Sequence, residues 1–62
     1  QRLRRLVDAV AELPPQMQRA FRIHKLEGRS HADTAQAMGI SVKSVEKHIS
    51  AALKALTARL GE

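Results

Sequence analysis

The sequence predicts an all-α domain of four helices that contains a helix-turn-helix and no wing. Three observations lead to this prediction. Apolar residues recur at spacings of three and four, proline or glycine separates the periodic segments, and no alternating strand pattern is present. With 62 residues and no cysteine, the chain is expected to form one domain, 1–62, without a disulfide framework. Because its first residue is not methionine, we interpret it as a fragment of a longer protein.

A pair of prolines separates the first two helices. Apolar residues at 3, 6, 7, 10 and 13 predict a first helix from Arg2 to about Glu12. Pro14 disfavours helix at the residue before it, and Pro15 suits the first position of a second helix, which is expected to end near Leu26. The residues expected to be buried in this second helix are Met17, Ala20, Phe21 and either Ile23 or His24.

Glycines and serines mark the boundaries of the next two helices. Gly28 closes the second helix, Ser30 caps a short helix over about 31–38, and Asp33 is spaced to complete a capping box. Gly39 ends the short helix and Ser41 caps a long fourth helix that stops near residue 61. The predicted buried stripe of the fourth helix comprises Val42, Val45, Ile49, Ala52, Leu53, Leu56 and Leu60. This order predicts a helix-turn-helix over about 30–56.

The charge of the chain predicts an acidic partner. The net charge is +5, which favours a nucleic acid as the partner. Because Phe21 is the single aromatic residue, the chain has no stacking platform for single-stranded nucleic acid, and duplex DNA is the better target. Lys43, Lys47, Ser50 and Lys54, here called the lysine strip, follow one another at spacings of four, three and four, as on the outer face of a recognition helix. A solvated helix face would show the same pattern.

Five residues on the fourth helix are candidates for reading bases: Lys43, Ser44, Glu46, Lys47 and Ser50. A lysine can donate to O6 and N7 of guanine, and a glutamate can accept from N4 of cytosine. Glu46 has an alternative interpretation, because a carboxylate is also favoured near a helix N-terminus by the helix dipole.

Five further residues are candidates for phosphate contact: Arg29, Ser30, His31, Ser41 and Lys54. The short helix of a helix-turn-helix crosses the sugar–phosphate backbone, and the free N–H groups at its N-terminus suit a phosphate. These residues would position the domain without reading sequence. Ser30 has the alternative role of a simple cap, and Arg29 that of a linker charge.

Catalytic, metal-binding and membrane functions are not expected. The three histidines, His24, His31 and His48, are scattered and lack acidic or cysteine partners at ligand spacing. No glycine-rich phosphate loop and no nucleophile with a base and an orienting group are present, so we predict a non-enzyme without a cofactor. No apolar run approaches the roughly 20 residues needed to cross a bilayer. A basic helix on a membrane surface is disfavoured by the capped turns and continuous core stripes.

Three segments resemble the C-terminal region 4 of bacterial extracytoplasmic-function sigma factors. They are LPPQMQRAF at 13–21, LEGRSHADTA at 26–35 and MGISVKSVEKHI at 38–49. The stretch VEKHI at 45–49 is similar to the branch that controls iron-siderophore uptake. The resemblance covers nearly the whole chain. Region 2 of the family, which melts the −10 element, is absent from these 62 residues.

The resemblance implies a cytoplasmic domain that binds the −35 promoter element within RNA polymerase holoenzyme. It also implies docking on the flap of the polymerase β subunit and masking by an anti-sigma factor. By position, the base-reading residues of the family fall on the five candidates of the fourth helix. The chain departs from the family at Thr34, where a large aliphatic residue is usual, and at Met38, where leucine is commoner, so we expect looser packing of the short helix.

Two rival interpretations remain at this point. LuxR-type response regulators also have four helices and a Gly-Ile-Ser turn, but the Leu-Pro-Pro start and the preceding helix favour a sigma factor. A regulator is expected to dimerise on a two-fold site, whereas a sigma domain is expected to bind one site as a monomer. The other rival is a protein-interaction bundle with an apolar ridge near Val10, Leu13, Leu56 and Leu60.

Overall fold

A computed structural model, which describes residues 2–61, consists of four α-helices. They are α1 (Arg2–Ala11), α2 (Pro15–Phe21), α3 (His31–Met38) and α4 (Val42–Leu60). No strand is present within residues 2–61. The predicted all-α fold with a helix-turn-helix, formed by α3 and α4, is confirmed. None of the helices in the described part of the chain is long and apolar enough to span a bilayer.

The junction between α1 and α2 is fixed by hydrogen bonds around the two prolines. Pro15 occupies the first turn of α2, as predicted, and the backbone N–H of Gln18 donates to the Pro14 carbonyl at 2.8 Å. The Gln18 side chain reaches back and donates to the carbonyls of Val10 (3.0 Å) and Ala11 (3.2 Å). The Ala11 carbonyl thereby gains a donor at the C-terminus of α1, and the Val10 carbonyl, which also accepts from the Leu13 N–H at 3.1 Å, gains a second.

A π-helical turn, Arg22–Leu26, continues α2 without a break. The predicted extent of the second helix is correct, but its last part is wound more widely than an α-helix. The Glu27 N–H donates to the Arg22 carbonyl at 2.9 Å, five residues back. Gly28 then adopts a φ of +74°, in the left-handed region that glycine enters without steric cost. This turn buries Ile23 and leaves His24 half-buried, which decides between the two residues considered above.

The turn between α3 and α4 forms as the sequence predicts. Gly39 has a φ of +69°, and the N–H of Ile40 donates to the Ala35 carbonyl at 3.1 Å. A second bond joins the Gly39 N–H to the Gln36 carbonyl at 3.3 Å, which completes a Schellman motif. Ser41 then caps α4 by accepting the N–H of Ser44 at 3.1 Å.

Two apolar clusters hold the helices together, and α4 contributes to both. The first joins α1, α2 and the C-terminal half of α4 and consists of Ala9, Val10, Leu13, Phe21, Ala52 and Leu56. The second lies under the helix-turn-helix and consists of Ala20, Ala35, Val45 and Ile49, with Met38 and Ile40 packed against it. Because α4 is buried in both clusters, its orientation is fixed along its whole length.

The predicted buried stripe of α4 is wrong at two positions. Val42 and Leu53 are each 42% exposed, whereas Val45, Ile49, Ala52 and Leu56 are buried and Leu60 is half-buried. At about 100° per residue, Val42 and Leu53 lie about 50° and 70° from the centre of the buried stripe. Their spacing is compatible with the stripe, but the neighbouring helices do not extend far enough to cover its edges.

The expected apolar interaction ridge is also wrong. Val10, Leu13 and Leu56 belong to the first cluster, and Leu60 is half-buried against it, so these residues do not form a surface for a partner. The apolar surface lies elsewhere: Leu3 is 73% exposed, Val7 53% and Leu26 60%. Val7 lies about 60° around α1 from the buried Val10, and Leu3 lies about 10 Å from Val10 along the helix axis.

Candidate DNA-binding surface

The lysine strip lies on the face of α4 opposite the apolar clusters. At about 100° per residue, Lys47 lies roughly 170° from the centre of the buried stripe, with Lys43 and Lys54 within about 40° of Lys47. All four members of the strip are exposed. One shallow depression on this surface is lined by Lys43, Glu46, Lys47, Ser50, Ala51 and Lys54. The structure therefore brings together four of the five base-reading candidates and one phosphate candidate.

The length of the strip divides it into two parts. A helix rises about 1.5 Å per residue, so Lys43 and Lys47 are about 6 Å apart along the axis, and Lys43 and Lys54 about 16 Å apart. The major groove of duplex DNA is about 12 Å wide. The first turns of α4 can enter one groove, whereas Lys54 extends past its edge. This geometry agrees with the division of the lysines into base-reading and phosphate candidates.

Ser44 differs from the other base-reading candidates because it belongs to the helix cap. It is half-buried, its N–H donates to the Ser41 Oγ at 3.1 Å, and its own Oγ accepts from the Ser41 hydroxyl at 3.0 Å. The Ser41 hydroxyl therefore both donates and accepts at the N-terminus of α4, with Ser44 as its partner in both hydrogen bonds. Ser41 is exposed and remains accessible from the same end of the helix.

Ser30 caps α3, as predicted, with its Oγ accepting the Asp33 N–H at 3.0 Å. The expected return bond from the Asp33 carboxylate is not among the hydrogen bonds of residues 2–61, so the capping box is half formed. Thr34 is fully buried, and its hydroxyl donates to the Ser30 carbonyl at 2.8 Å. This bond explains how a buried polar residue is accommodated at a position where the family resemblance implies a large aliphatic residue.

Arg29 and His31, on either side of Ser30, contact neighbouring side chains. The Arg29 Nε lies 3.3 Å from the Glu27 Oε1, and both side chains are more than half exposed. An ion pair with this exposure contributes at most about 1 kcal/mol, so a phosphate can displace Glu27. His31 is half-buried, and its ring stacks on that of His24 with centroids 4.2 Å apart.

The histidine pair is a feature that the sequence analysis missed. His24 lies on the π-helical turn and His31 on α3, and the turn at 27–30 brings the two rings together. No periodicity links the two residues, because they belong to different helices. Among residues 2–61, no three His, Cys, Asp or Glu side chains are grouped closely enough to hold a metal ion.

A separate apolar groove runs between α1 and the π-helical turn. We call it the α1 groove, and its lining residues are Leu3, Leu6, Val7, Val10, Arg22, Leu26 and Glu27. Three of its apolar side chains are more than half exposed. Scattered exposed apolar residues are normal, but a contiguous group that lines a groove is typical of a protein-interaction site. The sequence analysis expected an apolar surface near Val10, Leu13, Leu56 and Leu60, and only Val10 of these four residues lines the groove.

Comparison with known protein families gives one match. The family described as "Sigma-70, region 4" matches residues 3–56, which include all four helices except the first residue of α1 and the last four residues of α4. No significant match was found among curated protein sequences or among solved structures.

Proposed function

Because the chain belongs to the sigma-70 region 4 family, which has a DNA-binding role in promoter recognition, we propose that it binds the −35 element within RNA polymerase holoenzyme. We further propose that the chain is part of a cytoplasmic sigma factor of the extracytoplasmic-function group, because its three segments at 13–21, 26–35 and 38–49 resemble that group. The family is not a catalytic one.

The exposed lysine strip on α4 is the observation that carries the proposal. A recognition helix needs one face in the core and the other face free to enter an acidic groove. In α4 the buried Val45 and Ile49 fix the first face, and Lys43 and Lys47 form the second. The cap at Ser41 leaves the first turns of α4 at the exposed end of the helix-turn-helix, where base edges can be reached.

The proposed base contacts follow from the chemistry of the side chains. Lys43 and Lys47 donate to O6 and N7 of guanine, and Glu46 accepts from the exocyclic amino group of cytosine. Glu46 lines the same depression as the two lysines, so its carboxylate is held close to any DNA that they bind. Ser50 adds a short polar contact, and Ser44 contributes through the cap it shares with Ser41.

The proposed phosphate contacts lie on both sides of the DNA major groove that α4 would enter. Lys54 extends past one edge of the major groove. Arg29, Ser30 and His31 lie at the N-terminus of α3, on the other side of the turn between α3 and α4. The hydroxyl of Ser41 is exposed at the N-terminus of α4, where the helix dipole favours a phosphate.

Selection from a random duplex library tests this function directly. The 62-residue chain is incubated at low salt with duplexes that carry a randomised central segment, and bound DNA is sequenced over successive rounds. We expect enrichment of one asymmetric site, bound by one chain per duplex. An inverted repeat bound by two chains would instead support a LuxR-type regulator, and a failure to enrich any sequence would contradict base reading.

We further propose that the chain docks on the β flap of RNA polymerase through the α1 groove. An anti-sigma factor would compete for the same surfaces. Val7→Glu places a charge in this groove, and we expect it to weaken binding to polymerase core enzyme while duplex binding is unchanged. Leu53→Glu is the control, since Leu53 is similarly exposed but lies outside the groove. Equal loss in both variants would show that the groove is not the docking site.

A further inference from the structure

His24 makes a hydrogen bond that fixes the backbone just before α3. Its Nδ1 lies 2.7 Å from the carbonyl oxygen of Arg29. A carbonyl oxygen only accepts, so Nδ1 carries the proton and donates it, whichever the state of the other ring nitrogen. The same ring stacks on His31, with centroids 4.2 Å apart and an interplanar angle of 22°. One side chain therefore contacts both residues that flank the Ser30 cap.

The segment 27–30 is held at both ends, because the Glu27 N–H donates to the Arg22 carbonyl at 2.9 Å and Ser30 accepts hydrogen bonds from Asp33 and Thr34. Its middle, Gly28 and Arg29, has fewer contacts. Its four residues are exposed, and Gly28 is in the left-handed conformation. The backbone N–H of Arg29 donates to the Ile23 carbonyl at a long 3.3 Å, and the Arg29 side chain pairs only with the exposed Glu27. A segment with exposed backbone bonds and few buried contacts opens easily. Among the described side chains, His24 is the one that holds the Arg29 carbonyl in the middle of this segment.

We propose that His24 is a positioning residue for DNA binding, which holds Arg29 and His31 in the geometry that contacts the phosphate backbone. The inference rests on the proposed function, since it assumes that Arg29 and His31 face DNA. His24 itself need not touch the nucleic acid. Its N–H fixes the carbonyl of Arg29, and its ring fixes the plane of the His31 ring, so the ordering of both residues precedes binding.

Two substitutions separate the hydrogen bond from the ring stack. His24→Leu retains an apolar side chain against His31 and removes the donor. His24→Asn removes the ring but retains an N–H at the position of Nδ1. We expect the Leu variant to bind the selected duplex about three- to tenfold more weakly, as expected for a net loss of one hydrogen bond, with the Asn variant recovering most of the affinity. Thermal unfolding followed by circular dichroism establishes that both variants are folded.

The salt dependence of binding gives a second readout, which a general loss of stability would not change. If Arg29 no longer contacts a phosphate in the Leu variant, the slope of log affinity against log salt falls by about one charge. Equal affinity and slope in wild type and Leu variant would overturn the positioning role while leaving the proposed function intact. Equal losses in the Leu and Asn variants would overturn the role of the hydrogen bond, since loss of the ring would then account for the whole effect.

A measurement without DNA separates this inference from the proposed function. Long-range proton–nitrogen NMR spectra of the free chain report which ring nitrogen of His24 is protonated. We expect Nδ1–H, and a predominant Nε2–H form would overturn the inference even if DNA binding is normal. If the wild-type chain enriches no duplex, the proposed function fails and the positioning role fails with it, whatever form the ring adopts.

Discussion

The replacement of Lys47 by alanine is the sharpest test of base reading by α4. Lys47 lies almost directly opposite the buried stripe and in the depression shared with Lys43 and Glu46. Because its side chain is exposed, the substitution is expected to change the free energy of unfolding by no more than about 0.5 kcal/mol. Any larger effect on DNA binding is therefore a loss of contact and not of folding.

The position of Lys47 along α4 determines the expected magnitude. It lies about 6 Å from Lys43 along the helix axis, well inside the width of a major groove of about 12 Å. A lysine bound to a guanine edge discriminates by about 1–3 kcal/mol, so Lys47→Ala is expected to weaken binding to the selected site about 5- to 150-fold. The loss should be confined to duplexes that carry the preferred base at one position.

Fluorescence anisotropy with a panel of duplexes, each with one base pair of the selected site changed, measures this effect. Two control variants each remove one positive charge: Lys54→Ala, about 10 Å further along the same face, and Arg4→Ala, on the exposed side of α1. We expect Lys54→Ala to weaken binding to all duplexes alike and Arg4→Ala to have little effect. Equal loss on every duplex for Lys47→Ala would assign Lys47 to phosphate contact, and no loss at all would show that the lysine strip is only a solvated face.

Two further predictions concern the phosphate contacts and the second apolar cluster. Arg29→Ala is expected to weaken binding uniformly across the duplex panel and to lower the salt slope by about one charge, and an unchanged slope would exclude a phosphate contact. Ile49→Ala leaves a cavity beneath the helix-turn-helix and is expected to cost about 2–5 kcal/mol, a large part of the stability of so small a domain. Urea unfolding followed by circular dichroism measures this loss, and a cost below about 1 kcal/mol would show that the site collapses around the smaller side chain.

The helix boundaries could be predicted from the sequence because they depend on local chemistry. Pro15, Gly39 and Ser41 each act through their own backbone or side chain, and each occupies the predicted position. The π-helical turn could not be predicted in this way. Its hydrogen bonds span five residues where those of an α-helix span four. Over a single turn the apolar positions suit either winding, so periodicity does not distinguish a π-helix from an α-helix.

The errors in burial have a different origin. Val42 and Leu53 fit the spacing of the buried stripe, but burial depends on how far the neighbouring helices extend, which no single helix encodes. The same limit applies to the α1 groove, since it forms between α1 and the π-helical turn and the pattern of neither segment alone shows it. The stacking of His24 on His31 depends on the path of the turn at 27–30, and the spacing of the two histidines in the sequence does not predict it.

The arrangement of the two apolar clusters along α4 explains how one short chain can serve two partners. The second cluster supports the N-terminal half of α4, which we propose enters DNA, and the first cluster supports the half that packs on α1. Arg59 near the end of α4 forms two hydrogen bonds with Glu12, which ties the end of α1 to the same helix. Lys47 and Leu56 are about 14 Å apart along the axis. We therefore expect a substitution in the α1 groove to leave the proposed DNA-binding residues in place, whereas a cavity at Ile49 is expected to disturb them directly.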